Sequence, residues 1–209
     1  MADGSLRGTL GVVIPRVLSI AGSDSGGGAG IQADLKAFAA CGVHGMTAIT
    51  AITAQNTVGV TTVHAVPPEV IIAQVKAVAD DIGVDAVKIG MLGDRPTIEA
   101  VVHALATLPE TTPVVLDPVM VSESGAVLLD PEARSALAGL LFPRATVGTP
   151  NVPEARTLVG DGAGGLDAPD LARRVYALGP QVAVVTGGHR EPLRDVFFDG
   201  EQLVELDGE

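Results

Sequence analysis

Four stretches of the chain place side chains where they suit chemistry. Asp117 interrupts an apolar run, VVLDPVM, where an unpaired carboxylate would be costly to bury. A carboxylate there suits the electrostatic handling of a cation or of the water shell around it. Asn151-Val-Pro-Glu154 has the spacing of a helix-starting capping box with Pro in the first turn. Gln55 follows another apolar run. As part of QNT it reads as a turn residue, while its amide offers a donor pair and an acceptor to a ligand. The segment from Gly22 to Gly30, GSDSGGGAG, joins a strand to a helix. Its glycines let backbone approach a ligand and free N–H groups for it, at a helix start that favours an anion.

Two common glycine motifs fail on the text. Gly28-Ala-Gly30-Ile-Gln-Ala33 satisfies the relaxed dinucleotide pattern, but that motif needs an acid about 20 positions later to hold the ribose. Between Asp34 and Glu69 there is neither Asp nor Glu. A nicotinamide-dependent oxidoreductase is therefore disfavoured. A P-loop needs lysine directly after glycine, and none of Lys36, Lys76 and Lys88 follows one.

Composition narrows the partners. The 209 residues carry 13 Lys plus Arg against 25 Asp plus Glu, a formal net charge of −12, with four Phe, one Tyr and no Trp. A nucleic-acid surface wants a basic stripe and stacking rings, so none is expected. The single Cys41 excludes an internal disulfide framework and a cysteine zinc site. No apolar run is long enough to span a membrane, and no signal pattern opens the chain, so a soluble cytoplasmic protein is expected.

The elements that must hold these groups follow from periodicity. Residues 1–11 read as a loose leader and 12–209 as one domain. Strands are expected over 12–21 (starting after Pro15), 46–53, 60–66, 86–92, 113–120, 145–149 and 182–186, the last uniformly apolar. Helical spacing marks 31–39, closed by Gly42, then 68–83, 97–108, 131–141, 153–159 and 169–178. Residues 195–206 read as a hairpin about Asp199-Gly200. Apolar strands alternating with helices indicate a three-layer α/β/α fold around a mostly parallel sheet. Ligands of such sheets gather at the carboxyl ends of the strands, where GSDSGGGAG, AQNT, GML, DPVM, TPN and TGGH all fall.

Residues 17–60, VLSIAGSDSGGGAGIQADLKAFAACGVHGMTAITAITAQNTVGV, resemble the N-terminal signature of the hydroxymethylpyrimidine and phosphomethylpyrimidine kinases, thiamine-biosynthesis enzymes of the ribokinase-like superfamily. KIGML (88–92), VVLDPVM (114–120), TPNVPEA (149–155) and VVTGGH (184–189) follow in that family's order. The resemblance implies a ribokinase-like domain and ATP-dependent phosphorylation, with Mg²⁺, of 4-amino-5-hydroxymethyl-2-methylpyrimidine and then of its monophosphate. It puts the pyrimidine-reading glutamine at Gln55 and places Gly22, Asp34 and Met91 in the substrate pocket. Taken alone, Asp34 would favour the helix dipole and Met91 would fill core. It also gives Asn151 and Glu154 a part in supporting phosphate and Mg²⁺, and assigns Asp117 and Glu154 to the metal. Thr186 stands where many of these kinases have lysine, keeping a hydroxyl but losing a charge near the nucleotide phosphates. His44, His64 and His103 are read as structural, and His189 is given no chemistry.

The family continues past the hairpin into a G-T/S-G-C/D segment whose N–H groups form an anion hole and whose Cys or Asp activates the substrate hydroxyl. This sequence ends at Glu209, so no catalytic base is expected within residues 1–209, and Cys41 on the first helix is no substitute. The alternatives are pyridoxal kinase activity and a catalytically silent pyrimidine-binding module. Relatives of this type suggest a homodimer.

Overall fold

A computed structural model describes residues 13–120, 129–187 and 194–208. The expected leader and His189 lie outside these residues. The sheet starts at β1 (Arg16–Ala21), released after Pro15 as expected, and its neighbour β2 (His44–Ile49) runs parallel to it in register Arg16↔His44 to Ala21↔Ile49. Helix α1 (Gly30–Ala40) makes the crossover and ends beside Gly42, whose φ of 70° is a left-handed value that glycine adopts without strain.

The apolar stretch 46–53, expected as one strand, is two. β2 ends at Ile49, and β3 (Ala51–Gln55) leaves the main sheet to pair antiparallel with β4 (Val60–Ala65). Thr50 makes the break. Its N–H donates to Ala21 O at 3.0 Å and its hydroxyl to Met91 O at 2.7 Å, which commits it to the ends of other strands. The β3–β4 hairpin therefore stands over the carboxyl end of the sheet and keeps little of itself buried.

Helix α2 (Pro68–Asp81) returns the chain to β5 (Ala86–Ile89), and α3 (Arg95–Leu105) carries it to β6 (Val114–Leu116). α3 begins two residues before the helical spacing suggested, because the Asp94 carboxylate accepts the Thr97 N–H at 2.9 Å. β5 and β6 are shorter than the apolar runs 86–92 and 113–120. The chain leaves the sheet at Gly90 and at Asp117-Pro118, and the remaining apolar residues line loops. Residues 131–141 are helical but change pitch, from α4 (Pro131–Ala136) to a π turn over Leu137–Leu141.

The strands β7 (Val147–Gly148) and β8 (Val182–Val185) extend the parallel sheet, joined through α5 (Val152–Val159) and α6 (Ala168–Tyr176). The hairpin of β9 (Arg194–Phe198) and β10 (Leu203–Asp207) closes one edge antiparallel. The sheet order is β10-β9-β8-β7-β6-β5-β1-β2. One apolar cluster, with Leu18, Ile20, Val87, Ile89 and Leu116 of the central strands fully buried against Ile71, Val75, Ile98 and Leu105 of α2 and α3, fixes those strands in place. At about 1.5–3 kcal/mol for each large side chain buried, this packing is what holds the strand ends, and the groups just beyond them, at set distances.

Candidate active site

A cavity of about 420 Å³ opens at the carboxyl ends of β1, β3, β5 and β6. Gly22, Asp34, Gln55, Met91 and Asp117 all line it, together with Ser23, the glycine loop, Lys88 and Val119. Gly22, Asp34 and Met91, carried over by resemblance, thus line the same cavity as Gln55 and Asp117. Gln55 is held by its backbone, whose N–H donates to Ser25 Oγ at 2.8 Å, across an irregularity in the β3–β4 register between Ala54 and Gln55. The hairpin is stapled to the loop by Ser23, which donates its N–H to Ala51 O at 2.8 Å and accepts the N–H and the hydroxyl of Thr53.

Most N–H groups of the glycine loop are taken up by the protein itself. The Asp24 carboxylate, 5% exposed, accepts the N–H groups of Gly26, Gly28 and Ala29, each at 2.8 Å, while its own N–H donates to Gln32. Burial works against its ionisation, but the donors from Gly26, Ala29 and Gly28 together outweigh it and hold the carboxyl below its ordinary range. The expected anion cradle is occupied by the loop's own aspartate. What remains is a rigid floor. Gly30, at φ 54°, packs against the Gly22 carbonyl, and a methyl at Gly22 would overlap the Met91 methyl.

Beneath the cavity lies a charged array. Ser19 Oγ donates to Asp34 Oδ2 at 2.6 Å, Lys88 Nζ lies 3.1 Å from Asp34 Oδ1, and the same ammonium is 3.8 Å from Asp117 Oδ2. Burial raises the Asp117 carboxyl above its ordinary range, opposed by Lys88 and reinforced by Asp34. Lys88 was legible: a lysine inside the apolar strand AVKI of a covered parallel sheet requires a partner.

Asn151, Glu154 and Thr186 gather at the next two strand ends, outside the lining of that cavity. The capping box forms in full, with Asn151 Oδ1 accepting the Glu154 N–H at 2.9 Å and Glu154 Oε2 accepting the Asn151 N–H at 3.0 Å. Thr186 bridges to Asn151, its carbonyl accepting the Val152 N–H at 3.2 Å. Glu154 is 8% exposed, and its Oε1 takes the Met120 N–H at 3.4 Å. Burial pushes its carboxyl up to about 7. The bonds from Asn151 and Met120 act the other way, and the charge of Asp117 adds to the rise, so the two clusters are electrostatically joined. Among the described residues, no helix is long and apolar enough to cross a membrane.

The chain as a whole is similar to known proteins. A family model described as phosphomethylpyrimidine kinase matches residues 24–209. The hydroxymethylpyrimidine/phosphomethylpyrimidine kinase of Mycobacterium tuberculosis is 46% identical over 205 residues, covering 95% of this chain and 74% of that protein. The phosphomethylpyrimidine kinase structure from Clostridium difficile superposes with a TM-score of 0.81 at 40% identity, over 93% of this chain and 85% of that one. A Bacillus subtilis pyridoxal kinase, solved as an ADP complex, gives a TM-score of 0.80 at 40% identity, over 94% and 75%.

Proposed function

The chain belongs to the phosphomethylpyrimidine kinase family, and we propose that its 420 Å³ cavity takes 4-amino-5-hydroxymethyl-2-methylpyrimidine for ATP-dependent phosphorylation, first of the hydroxymethyl group and then of the resulting monophosphate. The observation that carries the reading is the convergence of Gln55, Gly22, Asp34, Met91 and Asp117 on one cavity. Gln55 reads the pyrimidine edge, Met91 and Gly22 set the width for a flat ring, and Asp34 approaches from the helix side. In the transfer, the hydroxymethyl oxygen forms a bond to the γ-phosphorus as the bond from that phosphorus to the β,γ-bridging oxygen breaks, ADP leaves, and the hydroxyl proton passes to solvent water. The protein's part is positioning and charge neutralisation.

Mg²⁺ fits the donor set through its water shell. Asp34 and Asp117 flank one ammonium, and Glu154 is near enough to Asp117 to feel its charge, an excess of carboxyl groups that suits a divalent cation. Among the described residues, no group of three or more His, Cys, Asp or Glu would hold a metal by direct ligation. Asp117 and Glu154 would therefore hold the ion through water, and the ion would supply neutralisation of the phosphate oxygens. Asn151 and Thr186 would steady the phosphate side of the same face.

ADP release on mixing the protein with Mg·ATP and the aminopyrimidine tests the reading, with pyridoxal as the competing substrate because of the pyridoxal kinase relative. Gln55→Leu would leave ring polar atoms unpaired and weaken pyrimidine binding by about 1–3 kcal/mol. Unchanged calorimetric affinity would refute the assignment, and faster turnover of pyridoxal would transfer the activity to that substrate. The reading includes a cytoplasmic location, where ATP and Mg²⁺ are plentiful, and a homodimer. Ile52, Val58 and Val63 lie exposed on the β3–β4 hairpin and support self-association. Sedimentation of the protein and of Ile52→Asp checks this, with a monomeric parent as the refuting result.

A further inference from the structure

Lys88 is the only cation lining the cavity among the described residues. It leaves the middle of β5, flanked by β1 and β6, and its register partner on β1 is Ser19. Both of these neighbours in the sheet turn to the same carboxylate. Lys88 Nζ lies 3.1 Å from Asp34 Oδ1 and 3.3 Å from Oδ2, and Ser19 Oγ donates to Oδ2 at 2.6 Å. The ammonium sits 3.8 Å from Asp117 on its other side. A lysine has three donors. Here the ammonium lies against both oxygens of Asp34, with the Asp117 oxygen farther off at 3.8 Å, so its strongest partner is Asp34. Gly90, two residues on, leaves room for the lysine stem, since a methyl there would come 3.0 Å from Nζ.

From this geometry we infer that Lys88 is a positioning residue for pyrimidine binding, acting by fixing the Asp34 carboxylate against the cavity and holding it apart from Asp117. The inference rests on the pyrimidine reading given above. Without the ammonium, two carboxylates face each other with no counter-charge between them. Asp34 is then free to turn from the ring toward water. Lysine at this position thus acts through another side chain, and its loss is felt in binding before ATP arrives.

The test is calorimetry of 4-amino-5-hydroxymethyl-2-methylpyrimidine alone, without nucleotide, on the parent, Lys88→Met, Lys88→Arg, Asp34→Asn and the Lys88→Met/Asp34→Asn double variant. Loss of the ion pair should weaken binding about tenfold in Lys88→Met, and Lys88→Arg, which keeps the charge, should restore most of it. The double variant should bind no worse than Asp34→Asn, because both changes act through one carboxylate. Parent-like affinity of Lys88→Met, or additive losses in the double variant, would overturn the inference. If Lys88→Met does not unfold cooperatively in urea, Lys88→Gln carries the same cycle. A parent that binds no pyrimidine overturns the pyrimidine reading itself, and with it this inference. That failure shows in the parent alone, whereas failure of the Lys88 inference shows only in the variants.

Discussion

Replacing Glu154 by Gln should reverse the order of stability of parent and variant as pH rises. The Glu154 carboxyl is raised in the folded protein from its ordinary 4.5 to about 7, chiefly by burial. Between those values the folded state keeps a proton that the unfolded chain releases. Unfolding free energy must therefore fall with rising pH, by about 1.4 kcal/mol per pH unit. The stability is fully present below 4.5 and is lost as pH climbs through 7, and the interval corresponds to about 3 kcal/mol. Glutamine does not titrate and escapes this loss. It has a fixed cost instead, because both Glu154 oxygens accept backbone N–H groups, from Asn151 and Met120, and an amide offers only one oxygen. Facing the other N–H with an NH₂ group should cost about 1–3 kcal/mol at every pH. The variant should thus be the less stable protein at pH 4.5 and equal or exceed its parent at pH 8. Urea unfolding at intervals across that range measures it directly. A stability difference that stays constant from pH 4.5 to 8 would show that Glu154 ionises in the fold as it does in water, and that its burial costs nothing.

Three further outcomes follow from the site. Asp117→Asn should lower kcat by about 100-fold, as expected when a preorganised charge is removed, while the urea midpoint holds or rises because burial already penalises the Asp117 charge; parent-like turnover at saturating Mg²⁺ would refute its role. Gly22→Ala should push the Met91 methyl into the cavity and weaken pyrimidine binding with little change in the urea midpoint, since only the flexible end of a side chain must move; unchanged affinity would mean that Met91 does not set the width. Asp24→Ala should strip the acceptor from three loop N–H groups and destabilise the protein by about 3 kcal/mol, at about 1 kcal/mol each; an unaltered urea midpoint would mean that water replaces the carboxylate at no cost.

The layers and the mostly parallel sheet were legible because burial on both faces leaves a plain mark, an apolar run punctuated at its carboxyl end by a polar residue. Asp117 and Gln55 were found by that mark, and both reach the cavity. The hinge at Thr50 was not legible. MTAITAITAQ reads as uniform strand, and only the bonds of Thr50 to Ala21 and Met91, supplied by distant segments, divide it. The direction of the glycine loop's N–H groups was not legible for a related reason. Composition tells that N–H groups can converge, but whether they converge on a phosphate or on an aspartate two to five residues away is a matter of local angles. Lys88 differs again, since a charged residue within AVKI breaks the apolar rule as plainly as Asp117 does. Asp34 was chosen by resemblance, and a carboxylate chosen without its counter-charge is an incomplete account of a site. Lys88 is 23% exposed and Asp34 15%, so neither charge is tolerable there alone. Finding one should prompt a search for the other along the neighbouring strands. In a parallel sheet that search is short, because the register that sets Ser19 beside Lys88 also brings both beneath the helix that carries Asp34.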